Sequence, residues 1–125
     1  MPKEDHSFEI EFFESVHRRN PTDPEVVEIL GSLYSDLGNV DDSLRMDSCL
    51  VDLQPQNPTA HYNLACSLAL KQQNDEALRA LRHAVDLGYR DVTWLLDDPD
   101  FKELHEHPLF REIVIELEAF EQGTE

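Results

Sequence analysis

The sequence predicts an all-α protein, a right-handed superhelical stack (an α-α superhelix) of antiparallel helical hairpins. Three observations predict it. "NPTDPEVVEILGSLYSDLGNVDDSL" (Asn20–Leu44) and "QNPTAHYNLACSLALKQQNDEAL" (Gln56–Leu78) each write a Pro-led turn, an apolar helix, a polar turn and the start of a second helix. An offset of 34 residues superimposes them: Pro21 on Pro55, Leu30 on Leu64, Gly31 on Ala65, Leu44 on Leu78 and Leu53 on Leu87. Within each copy the apolar residues recur at three- and four-residue steps, the spacing of one helix face.

Residues 6–20 read as a helix that caps the array in place of a full preceding unit. Phe8, Phe12 and Val16 form a stripe expected to cover the exposed end, with Glu9, Glu11 and Glu14 toward water. Residues 21–57 form the first repeat. Its first helix carries Val26, Val27, Leu30, Leu33, Tyr34 and Leu37, and Gly38-Asn39 ends it, glycine suiting the left-handed terminal position. Asp41 or Asp42 is placed to cap the second helix, whose stripe is Leu44, Cys49-Leu50 and Leu53 before Pro55 closes it.

Residues 58–91 repeat the plan, with helices over about 59–71 and 75–87. Small Gly31 and Ala65 permit close helix approach, with larger Leu30, Tyr34, Leu64 and Leu68 around them. Residues 92–121 depart from the repeat. They read as a short helix near Val92–Leu96, a turn from Asp100 to Glu106, and a longer helix from Pro108 to about Phe120, its stripe Phe110, Ile113, Val114, Leu117 and Phe120. Residues 122–125 are expected to fray. At 125 residues the chain has the length of one domain.

These marks resemble the tetratricopeptide repeat family. They are the 34-residue period, Leu30-Gly31…Tyr34 in the first unit, Leu64-Ala65…Leu68 with Ala77, Leu81 and Ala84 in the second, and Pro55 at the unit boundary. Asp47 stands where that family usually has an apolar or aromatic residue, and Tyr89 replaces the second boundary proline. The tail, with Trp94-Leu95, Asp98-Pro99-Asp100-Phe101, Leu104 and Pro108-Leu109-Phe110, resembles the segment that closes many short bacterial arrays of this kind. The resemblance implies a non-catalytic protein–protein interaction module: an adaptor, co-chaperone or assembly factor.

Composition narrows the partner. The net charge is −17, from 27 acids against 10 Lys and Arg. Such a surface repels nucleic acid and anionic lipid and favours neutral or basic proteins. The tail, residues 97–125, holds ten acids against Lys102 and Arg111, and an acidic face also keeps a small array soluble. The opening "MPKEDHSFEI" shows no secretory leader and no apolar run is long enough to span a bilayer, so a cytoplasmic location is expected. Cys49 and Cys66 lack metal or redox spacing and read as reduced thiols.

In stacked hairpins the first helices line the concave side. Their residues off the apolar stripe form the candidate groove: Glu25, Glu28, Ser32, Ser35 and Asp36, then Thr59, Tyr62, Asn63, Cys66, Ser67, Leu70 and Lys71. Tyr62 and Asn63 are suited to stack on and hydrogen-bond a partner's extended or helical segment. Capture of a C-terminal carboxylate is disfavoured, since only Asn63 and Lys71 would serve it among carboxylates. A chaperone for a secreted or membrane-associated client, and a homo-oligomeriser using an apolar patch near Phe8, Phe12, Trp94 and Phe120, are the alternatives.

An enzyme is disfavoured and no cofactor is implied. His105 and His107, two apart and followed by Pro108, point in different directions for a shared metal. Cys66 and His61 are five apart, poor geometry for a nucleophile and its base. Four glycines form no phosphate loop.

Overall fold

A computed structural model of the chain describes residues 6–123; the first five residues of the leader reading and the last two of the fraying tail lie outside them. Every element among the described residues is helical. The chain divides into two compact units, Met1–Pro55 and Gln56–Glu125, at the Pro turn between the two repeats.

The first unit holds α1 (Ser7–Arg19), α2 (Pro24–Asp36) and α3 (Val40–Leu53). Pro24 opens α2, where a missing N–H costs nothing, and the Asp23 carboxylate accepts from the Glu25 N–H. The Gly38 N–H bonds the Ser35 carbonyl and the Asn39 N–H the Tyr34 carbonyl, with Gly38 at φ 72°, as the sequence predicts for this turn. The cap of α3 differs from expectation. Asn39 takes that role, its side-chain oxygen accepting from the Asp42 N–H, because the helix already starts at Val40 and places Asp41 and Asp42 in its first turn. Val27, Leu30 and Met46 are fully enclosed, and a Cβ added at Gly31 would stand 3.5 Å from that of Met46, so α2 and α3 meet where the chain is smallest.

The orientation of α1 also differs. None of its residues is buried; Phe8 is 81% and Phe12 51% exposed. Glu14, expected in water, turns inward instead. It accepts hydrogen bonds from the Tyr34 hydroxyl of α2 and from Arg45 of α3, the latter at 2.6 Å. An aromatic hydroxyl inside the unit requires a partner, and the carboxylate supplies it. Ile10, Phe13, Val16 and His17 are half-buried alongside Glu14, while Phe8 and Phe12 lie on the other side of the helix.

The second unit holds α4 (Pro58–Leu70), α5 (Asn74–Asp86), α6 (Val92–Asp97), a 3₁₀ turn (Pro99–Leu104) and α7 (Pro108–Glu121). The repeat is faithful to the residue: α4 starts 34 residues after α2, again at Pro, and Asn57 accepts from the Thr59 N–H as Asp23 does from Glu25. The turn after α4 copies the one after α2, with Gln72 at φ 60° in the place of Gly38. Ala65, Ala77, Leu81, Ala84 and Val85 form the hairpin core. Leu64, expected as a stacking residue like Leu30, is only half-buried. His61 and His83 stack at 4.3 Å across the hairpin.

The tail packs back on this hairpin. Phe101, Leu104, Phe110, Ile113 and Leu117 are buried. Arg82 of α5 bridges Asp86 and Glu116 of α7, and the Arg90 guanidinium lies 3.9 Å from the Phe120 ring centroid. No helix among the described residues is long and apolar enough to cross a membrane.

Candidate interaction surfaces

On α2 the five candidate residues form one face. At about 100° per residue, Glu25, Glu28, Ser32, Ser35 and Asp36 fall within roughly one-third of the helix circumference. All five are exposed. The apolar stripe of Val26, Val27, Leu30 and Tyr34 holds the opposite side. Ile29, not singled out by the sequence, lies at the edge of the five beside Asp36 and is 38% exposed, so this anionic face is bordered by one apolar contact point. Leu37, assigned to the core stripe by spacing, is 39% exposed because the helix ends at Asp36 and the chain turns there.

The face of α4 is narrower than its sequence predicts. Thr59, Asn63, Leu70 and Lys71 are exposed, but Tyr62 and Ser67 are buried. Tyr62 and Ser67 flank the Thr59–Asn63–Cys66–Leu70 stripe on either side, where neighbouring elements reach. Tyr62 is therefore not an open stacking platform. Its ring stacks on Tyr89 at 4.6 Å and meets Phe101 edge-on at 5.5 Å. Its hydroxyl donates to the Asp98 carboxylate at 2.8 Å. Burial first, then that hydrogen bond, pushes the Tyr62 hydroxyl far above the ordinary phenol range. Tyr89 is likewise pushed up to about 12, chiefly by burial.

Asp98 is the residue the sequence reading missed as a junction. One carboxylate oxygen accepts from Tyr62 and, at 3.6 Å, from the Cys66 thiol; the other caps the 3₁₀ turn by accepting from the Asp100 N–H at 3.0 Å. Its place two residues before Asp100 in a Pro-containing turn was the available signal. The ligand atoms of Cys66, Asp98 and Asp100 all lie within 4.8 Å of one another. Burial, and then the charge of Asp98, raise the Asp100 carboxyl above its usual range. Asp98 is already engaged by three protein donors, so the trio reads as the brace that fastens the turn to α4.

His105 and His107 serve structure separately. His107 caps α7, its Nδ1 accepting from the Leu109 N–H, while the His105 ring stacks on Phe110 at 5.1 Å. His105 also lines a largely apolar depression of about 320 Å³ with Leu96, Phe110, Arg111, Val114 and Ile115. Cys49, in α3, is held as a thiol by burial and the charge of Asp52, which raise its pKa.

No family model and no curated protein matches the chain. Among solved structures, the crystal structure of MamA is similar, with a TM-score of 0.72 and 22% identity, over 88% of this chain and 64% of that one. The chain thus spans about two-thirds of the MamA chain's length. The likeness is one of fold: an all-α architecture of tetratricopeptide-type helical hairpins.

Proposed function

We propose that this chain is a non-catalytic interaction module whose exposed α2 face takes an extended or helical segment of another protein, neutral or basic in character. The observation that carries this reading is the α2 face. Five polar residues and Ile29 are presented together, while the core of the hairpin is filled from the other side. Its charge is wholly anionic, from Glu25, Glu28 and Asp36, which suits Lys- or Arg-bearing segments. In its own unit α4 offers a second exposed face of Thr59, Asn63, Leu70 and Lys71, with Cys66 at the half-buried centre. Fold likeness to MamA agrees with a scaffold role. An adaptor, co-chaperone or assembly factor in the cytoplasm fits the acidic composition.

The test is capture from the native source with the wild-type chain, a Glu25→Lys/Glu28→Lys/Asp36→Lys variant and an Asn63→Ala/Leu70→Ala variant. Tyr62 is left intact, because truncating it would disturb the core. The reading expects bound proteins to be depleted at least tenfold by the charge reversal and weakened by the second variant, with circular dichroism unchanged. Equal capture by all three chains would refute it.

The tail depression favours a second reading. Leu96, Val114 and Ile115 around Phe110 offer an apolar seat, as a chaperone of a client's apolar segment would need. Ile115→Asp would remove that capacity and leave the α2-dependent capture intact.

A further inference from the structure

The repeat register aligns α1 with the second helices α3 and α5. Shifting by 34 residues places Phe12 on Met46 of α3 and Ala80 of α5. Those two are 1% and 9% exposed, whereas Phe12 is 51% exposed. The position packs on the first helix of its own hairpin: Met46 meets α2 at Gly31. So α1 has the sequence of a second helix whose first-helix partner is not among the described residues. Its outward stripe is Phe8, Phe12 and Arg19, all exposed, with half-buried Ser15 completing the four-, three- and four-residue spacing.

We propose that a second copy of this chain covers this exposed face, with α1 packing antiparallel on α1 of the second copy about a two-fold axis. Self-complementarity argues for this occupant. An axis midway between residues 13 and 14 sets Phe12 against Ser15 of the second copy, a large side chain facing a small one as Met46 faces Gly31. It sets Phe8 against Arg19 of the second copy, a cation–π pairing. Charge repeats the pattern. Glu11 and Arg18, both exposed, share one flank of the stripe. In an antiparallel pair that flank meets its own copy, so each Glu11 lies near an Arg18, offset by about 3 Å at 1.5 Å per residue. A patch that contacts itself is what a two-fold interface requires. The chain as a whole carries −17 and repels its copies, but Ser7–Arg19 is nearly neutral, with three acids against two arginines.

One helix face per copy falls below the roughly 800 Å² per partner of a standard interface, so the pairing is weak and concentration-dependent. Sedimentation of the full chain across roughly 10 μM to 1 mM is expected to show a mass rising from 14.4 kDa toward twice that value. Phe12→Glu is expected to hold it at the monomer. Glu11→Arg and Arg18→Glu each place like charges face to face and are expected to weaken association about tenfold, while the double reversal restores it. A wild-type chain that stays monomeric overturns the proposal, even if α1 binds a helix of some other protein. A dimer unaffected by both single reversals, or by Phe12→Glu, also overturns it.

Discussion

The Tyr62 hydroxyl donates a 2.8 Å hydrogen bond to Asp98, tying the first helix of the second repeat to a turn 36 residues later. A half-buried carboxylate that fastens a turn in this way is costly to leave unsatisfied. Tyr62→Phe removes one of its donors and is expected to cost about 1–3 kcal/mol. Asp98→Asn weakens three contacts together, including the Asp100 cap. A double-mutant cycle by urea unfolding should therefore show coupling of roughly 0.5 kcal/mol or more. Strictly additive losses would mean that the bond contributes nothing to the junction.

Glu14 is the matching junction of the first unit, and it makes stability depend on pH. Burial alone would raise its carboxyl, but the Tyr34 and Arg45 hydrogen bonds and the Arg45 charge outweigh it and leave the pKa below 4.5. The unfolded chain binds the proton more readily than the folded one, so the contribution is present above pH 4.5 and fades as pH falls through the depressed folded value. Glu14→Gln is expected to cost about 1–2 kcal/mol at pH 7 and progressively less as the pH is lowered below 4.5, as read by denaturant melts across that range. The Tyr34 hydroxyl, raised to about 12 by burial and then by Glu14, stays protonated throughout. A penalty independent of pH would contradict this account.

The helices and their register were legible because one copy of the repeat checks the other. Pro24 and Pro58, Gly38 and Gln72, and Gly31 and Ala65 sit at matching places by sequence and by structure. What failed to be legible was the choice between equivalent faces. Periodicity placed Phe8 and Phe12 inward and Glu14 outward, but it does not register that the Tyr34 hydroxyl needs an acceptor. The same blind spot moved Tyr62 into the proposed groove: the residues that cover it, Asp98 and Phe101, lie in the irregular tail, where no repeat predicts position. On α2 local spacing gave the exposure of the five polar residues, but not that of Ile29 or of Leu37 at the helix end.

Leu30 and Leu64 occupy equivalent positions with unequal burial, Leu30 fully enclosed and Leu64 half-buried. Leu30→Ala empties a site with closely packed walls and is expected to cost about 2–5 kcal/mol. Leu64→Ala removes less enclosed surface and is expected to cost less than about 2 kcal/mol. Thermal or urea unfolding of the two variants decides this. Equal losses would show that burial does not distinguish the repeats.

Gly38 and Gln72 adopt the same left-handed backbone at equivalent turns, with φ of 72° and 60°. Only one of them is a glycine, so the two positions should respond with opposite signs. A Cβ at Gly38 would meet nothing within 4 Å, which leaves backbone strain as the whole cost of Gly38→Ala, about 1 kcal/mol. Gln72→Gly relieves that strain but gives the unfolded chain more freedom, which offsets part of the gain. The net is a stabilisation of about 0.5 kcal/mol. Paired melts of the two variants against wild type test the argument. If Gln72→Gly lowers the melting temperature, the glutamine side chain rather than its strained backbone governs that turn, and the equivalence of the two turns is then one of shape without energy.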